Sequence, residues 1–290
     1  MFEARIKPIY LEDYRKFTLA LAGLTEADSV YVLPQKAGIR KDVLFLAGTH
    51  GDESVGLELM RALGDGEKHD WLIANEKAVA INKRFVDCDL NRSAPGALQS
   101  DQYEERRAAE ILLKARNYNY VIDVHNHSLE TRTFIILTKP SFEDLLLAAQ
   151  FDINDIVVWL PSEKRPTGPL TEFIEPAVEI EANRNDGARL AAVLQKFLQE
   201  YNQPITRNNL IGKNIYWVYG KQFEKIEGWS DFAVARVDDE EFYPLMCGQY
   251  PGIGCYKMIK IIVPVDFQSV GHDAVASGRP ADSRMKKVNL

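Results

Sequence analysis

His50 and Glu53 stand in the glycine-flanked run Gly48-Thr49-His50-Gly51-Asp52-Glu53, separated by two residues. That spacing lets an imidazole nitrogen and a carboxylate oxygen converge on one cation. Catalytic zinc takes three protein ligands and leaves its fourth position to water, so a third ligand must arrive from elsewhere in the chain. His125, in Asp123-Val124-His125-Asn126-His127, is the candidate. A bound histidine needs a carboxylate or carbonyl on its other ring nitrogen, and Asp123 and Asp52 are both close enough in sequence to supply one. A lone histidine after a strand is ordinarily a capping or core residue, and His-x-x-Glu recurs by chance. The conjunction of the two motifs is what points to a metal.

Two further runs carry charge in useful forms: Asn82-Lys83-Arg84 and Asp87-Cys88-Asp89-Leu90-Asn91-Arg92. A guanidinium is a planar fork that grips a carboxylate with two hydrogen bonds, and a fixed one can stabilise a developing oxyanion. Glu179 and Glu181, two apart in Ala177-Val178-Glu179-Ile180-Glu181, would share one face of a strand. A carboxylate there could take the proton from water that a metal has acidified to a pKa of about 7. The residues alone leave the choice between them open. The bland alternatives are surface salt bridges for both glutamates and mutual pairing of Asp87, Asp89 and Arg92 on a loop.

Open α/β sheets bind ligands outside the carboxyl ends of their strands, so these polar runs must follow strands. Strands are predicted at Val43–Ala47, Ala78–Asn82, Tyr120–Val124, Ile156–Leu160 and Ala177–Glu181, with Phe134–Leu137 as a sixth. Between them run helical patterns, the rhythm of a mostly parallel sheet. Asp186–Tyr201 places Leu190, Val193, Leu194, Phe197, Leu198 and Tyr201 at the spacing of one buried face. A second helix is expected from Asp101, with Glu104 completing a capping box, to Arg116. A third follows the first strand, with Val55, Leu59, Ala62 and Leu63 on one stripe. Beyond Tyr201 the texture turns polar and then strand-like, in IYWVYG, FAVARV and MIKIIVPV. A boundary is therefore expected near residue 205, dividing residues 1–205 from a β-rich part, 206–290, whose last fifteen residues read as a loose tail.

The chain has 290 residues, 46% of them hydrophobic, and a net charge of −7. It can bury a large core, and its acidity argues against nucleic acid or an anionic membrane surface as partner. The sparse, odd set Cys88, Cys247 and Cys255 argues against a disulfide framework and for a reducing compartment, the cytoplasm by default. The N-terminal residues lack the apolar centre of a secretory signal, and no run approaches the ~18 apolar residues of a membrane span.

The motifs GTHGDE at 48–53, NKRF at 82–85, DCDLNR at 87–92, DVHNH at 123–127 and EIE at 179–181 occur in the order and at the spacings of one family. In these the chain resembles the succinylglutamate desuccinylase and aspartoacylase family, with its zinc carboxypeptidase-like α/β fold. The resemblance is strong over roughly residues 40–200 and weak beyond, through YPLMCGQY at 243–250. It implies one Zn2+ per chain held by His50, Glu53 and His125, with Glu181 as general base, Arg84 polarising the scissile carbonyl, and Asn91 and Arg92 gripping a substrate carboxylate. The implied fold is a mixed, mostly parallel sheet flanked by helices, with a smaller C-terminal β-rich domain.

Two departures stand out. The arginine that holds a second substrate carboxylate in aspartoacylases, some ten residues before the catalytic glutamate, is replaced by Thr171, and the nearest upstream arginine is Arg165. The substrate tyrosine has no clear match among Tyr243, Tyr250 and Tyr256. The implied activity is hydrolysis of an N-acyl amino acid or similar small amide bearing a carboxylate. A carboxypeptidase working in a wider groove, and a metal or ligand binder without turnover, are the alternatives. Homo-oligomerisation is left open.

Overall fold

The computed structural model describes residues 2–26, 29–127, 131–161 and 165–261. The tail expected at 276–290 lies outside the described residues. In chain order the elements are α1 (Leu11–Leu24), β1 (Val43–Ala47), α2 (Val55–Leu63), β2 (His69–Ile73), α3 (Glu76–Ala80), α4 (Tyr103–Ala115), β3 (Tyr120–His127), β4 (Phe134–Leu137), α5 (Phe142–Ala149) and β5 (Asp155–Val158). There follow β6 (Ala177–Asn183), α6 (Gly187–Glu200), β7 (Asn214–Gln222), β8 (Ala235–Val237), β9 (Glu240–Leu245) and β10 (Cys255–Ile261).

Among the described residues the ten strands join one sheet in the order β2-β1-β3-β6-β4-β5-β7-β10-β9-β8. From β2 to β7 neighbours are parallel except β4 against β6, and from β7 to β8 they are antiparallel. The sheet is thus mixed and mostly parallel where helices flank it, with an antiparallel C-terminal extension. β1 shows why its sequence is apolar throughout. Val43, Phe45 and Ala47 enter the core shared with α1, α2 and α6, while Leu44 and Leu46 enter a second core under α4. A strand covered on both faces needs no polar alternation.

Two expectations are corrected. Ala78–Asn82 is not a strand: Asn75 accepts the Ala78 N–H at 3.2 Å and caps α3, which ends at Ala80, and Asn82 follows in the turn with φ 49°. A short apolar run fits either element, and the cap decides this one. The second strand is His69–Ile73 instead, an edge strand with only Trp71 buried. The capping box at Asp101 and Glu104 is also absent. α4 starts at Tyr103, and Glu104 is buried beneath the loop before it.

Residues after 205 do not stand apart from the sheet. β7 pairs in parallel with β5, and Trp217 packs edge-on to Tyr14 of α1 with ring centroids 5.1 Å apart.

Candidate active site

The turn after β1 is held down by its glycines. A Cβ on Gly51 would stand 2.1 Å from the Ala78 carbonyl carbon, so only glycine lets the turn lie on α3, where the Gly51 N–H donates to Arg84 O at 3.2 Å. Gly48, at φ +67°, takes a conformation that side chains resist. The turn presents His50 and Glu53 to the end of β3. His50 Nδ1 lies 2.6 Å from Glu53 Oε1, His125 Nδ1 lies 3.0 Å from Glu53 Oε2, and the Asn126 N–H donates to the same Oε2 at 3.0 Å. The three side chains offer ligand atoms all within 4.8 Å of one another. Burial raises the Glu53 carboxyl, but the two imidazoles outweigh it and hold the group far below the usual range. Burial disfavours charge on the rings, yet the surrounding carboxylates push His50 up and His125 well up. Two imidazoles around one buried carboxylate form a donor set that fits a zinc-type cation.

Each ring is braced on its far side. Asp123 Oδ2 lies 3.1 Å from His125 Nε2, and the buried Thr49 hydroxyl sits 2.8 and 2.9 Å from the two Asp123 oxygens. Asp89 Oδ1 lies 3.0 Å from His50 Nε2. The brace for His125 is therefore Asp123, and Asp52 is exposed. Asp89 is the residue sequence reasoning passed over as a loop partner of Asp87 and Arg92. It instead meets Arg84 at 3.2 Å, accepts the Asn91 N–H at 2.9 Å and braces His50. Asp87 accepts the Tyr103 N–H, and Arg92 donates to Asn91 O. Arg84 Nη1 stands 4.0 Å from Glu53 Oε1, beside the ligand group. The whole 84–92 loop hangs on Glu104, whose carboxylate accepts the N–H groups of Val86, Asp87 and Cys88 and the Asn75 amide. The sequence signal for that anchor was the acid at the start of α4, which was assigned to a cap.

β6 lies beside β3 with Glu181 in register with His125 and Glu179 in register with Asp123. All four therefore project from one face. Burial pushes the Glu181 carboxyl up to about 7, against the pull of His125, with Glu53 and Glu179 adding to the rise. Glu179 is no surface salt bridge: it is buried, and its Oε1 accepts the Thr171 hydroxyl at 3.0 Å while Thr138 lies 2.9 Å behind. Thr171, where a carboxylate-binding arginine was expected, is thus occupied in fixing Glu179. Arg165 does reach the site and lines its cleft.

That cleft is lined by His50, Glu53, Arg84, Asn91, Arg92 and Glu181. Asn91 Oδ1 is buried without a hydrogen-bond partner, a polar atom left for something that enters. Tyr250, with Met246 and Gln249, closes the cleft from the C-terminal part. Burial first and Glu181 second push the Tyr250 hydroxyl up to about 12. Of the other tyrosines, Tyr243 packs on Tyr216 in the C-terminal core and Tyr256 lies behind Tyr250.

Residues 39–181 match the profile of the succinylglutamate desuccinylase/aspartoacylase catalytic domain. An N-acyl-aromatic-L-amino acid amidohydrolase (carboxylate-forming) of Xenopus laevis is 37% identical over 115 residues, 33% of this chain and 38% of that protein. A probable aspartoacylase of Prochlorococcus marinus (strain AS9601) is 30% identical over 124 residues, 37% of this chain and 41% of that protein. The match thus spans about two fifths of these relatives. Among solved structures, murine aminoacylase 3 superposes with a TM-score of 0.61 at 18% identity, covering 78% of this chain and 97% of that one. A succinylglutamate desuccinylase from Chromobacterium violaceum gives 0.60 at 16% identity, covering 86% and 98%. At such identities the likeness is one of fold.

Proposed function

We propose that this protein, which residues 39–181 place in the succinylglutamate desuccinylase/aspartoacylase family, is a zinc-dependent hydrolase that cleaves the amide bond of an N-acyl amino acid or a similar small amide bearing a carboxylate. The observation that carries the reading is the buried His50-Glu53-His125 group with Glu181 registered beside it. His50, Glu53 and His125 would hold Zn2+, which supplies Lewis-acid polarisation of the carbonyl and acidifies water. Glu181 takes the proton of the attacking water and returns it to the leaving amine. Arg84, steered by Asp89, stabilises the oxyanion. Arg92 and Asn91 grip the substrate carboxylate. The orphaned end of the Asn91 side chain supports that role, since its amide can turn to present N–H to an anion.

A small substrate is favoured over a peptide because Met246, Gln249 and Tyr250 wall the cleft from the C-terminal side. The activity names of the relatives support the same choice. The three cysteines are free thiols, which supports a cytoplasmic location, and among the described residues no helix is long and apolar enough to cross a membrane.

The test is amine release from a panel of N-acyl amino acids by zinc-loaded protein, with Glu181→Gln beside it. The variant should keep its zinc and lose about 10²–10⁴-fold in kcat, the usual range for a general base. Full activity in the variant, or no zinc in either protein, overturns the assignment.

A further inference from the structure

The catalytic cleft does not end at Arg92. A second chamber adjoins it there and shares Arg92, Trp159, Leu160, Pro161 and Arg165 with the first. Trp159 stands in the partition, edge-on to Tyr256 with centroids 4.5 Å apart. Beyond the partition the walls are aromatic, from Trp217, Tyr219, Tyr256 and the 70% exposed Phe223. The charged lining residues are Lys7, Arg92, Arg165 and Lys221, all cationic, with no acid among the described lining residues. In a chain of net charge −7 this is a local reversal of sign. Low-dielectric walls strengthen the attraction such a chamber exerts on an anion. Lys221 is held here by its Nζ lying 5.5 Å from the Tyr256 ring centroid. The catalytic cleft differs, because Glu53, Glu179 and Glu181 line it together with Arg84, Arg92 and Arg165.

We propose that the second chamber is a subsite for the far end of the substrate. The amino-acid half would carry an aromatic or long apolar arm that passes Trp159 and ends in a second carboxylate near Lys221. The favoured substrates would then be N-acyl amino acids with an extended acidic arm, in place of short ones whose second carboxylate must sit beside Glu179. This rests on the deacylase reading for its chemistry, but the chamber can be tested separately.

Three probes separate the terms: N-acetylalanine, N-acetylphenylalanine and N-acetyl-4-carboxyphenylalanine. At low ionic strength, kcat/KM should be at least tenfold higher for the carboxylated arm than for phenylalanine. The exposed change Lys221→Glu should remove that advantage while leaving N-acetylalanine within twofold. Binding of the carboxylated probe to zinc-loaded Glu181→Gln, measured by calorimetry with and without Lys221→Glu, should weaken at least tenfold with the second change. That result supports the chamber even if no probe is hydrolysed. Hydrolysis of all three probes with no sensitivity to Lys221→Glu overturns the chamber and leaves the deacylase reading standing. Equal binding to the single and double variants overturns it as well.

Discussion

At the scale of single residues, the geometry of the proposed metal site depends on groups outside the His50-Glu53-His125 cluster. Thr49 donates to Asp123, Asp123 braces His125, and all three are buried. Removing the hydroxyl leaves a fully buried carboxylate short of a donor and frees the imidazole to turn. Thr49→Val should therefore lower zinc affinity about 10–100-fold, the range seen when such outer partners are lost, and competition against a chelator of known affinity measures it. An unchanged affinity would show that strand geometry alone orients His125. The His50-Glu53-His125 cluster was legible in the sequence because GTHGDE and DVHNH occur together, each after an apolar run. Asp89 and the Thr171–Glu179 bond were not legible, since both depend on side chains from separate elements meeting in space.

At the scale of elements, loops are aimed by buried anchors. Glu104, fully buried in α4, binds three consecutive N–H groups of the loop that carries Arg84, Asn91 and Arg92. Glu104→Ala orphans those donors, each worth about 1–3 kcal/mol when left unsatisfied. We expect a loss of roughly 2–4 kcal/mol in stability and a fall in kcat/KM of at least tenfold, with zinc still bound, since none of the proposed ligands sits on that loop. Chemical denaturation and zinc analysis check the pair, and wild-type kcat/KM in a destabilised variant would contradict it. A second anchor carries a pH signature. Asp144 in α5 accepts the Ala177 N–H at 2.8 Å at the start of β6, and burial pushes its carboxyl from 3.8 up to about 7. The folded state thus holds a proton that the unfolded chain has released, so stability is fully present below the unfolded value and declines as pH rises towards 7. Asp144→Asn keeps an acceptor and removes the charge. Relative to wild type it should gain about 1–3 kcal/mol between pH 4 and pH 8, read from urea curves at both. Elements with strong periodicity, such as α6, were legible in the sequence. β2 was not, because an edge strand with a single buried residue has almost no hydrophobic pattern, and α3 mimicked a strand because the short apolar run Ala78–Ile81 defines no period.

At the scale of the molecule, the division near residue 205 marks a change of texture within one continuous sheet. The polar stretch there reads as a linker, yet β7 lies between β5 and β10 in a continuous sheet. Ile215, Trp217, Ile259 and Ile261 belong to the same core as Phe17, Phe45 and Leu194. That long-range pairing leaves no mark in local composition, which is why the texture change was legible and the shared sheet was not. The consequence is that Tyr250 is held in the cleft of His50 and Glu53 by a part of the chain that shares their sheet. A chain ending at residue 205 should lack a cooperative transition, because the removed strands cover one edge of β5 and the α1 aromatics. In the full chain, Trp217→Ala should cost about 3–5 kcal/mol, as for large buried aromatics. Far-UV circular dichroism and tryptophan fluorescence should then report a single coincident transition in urea for both wild type and variant. Two separated transitions, with the C-terminal strands melting first while zinc stays bound, would mean that the two parts fold independently and that the catalytic cleft is closed by docking.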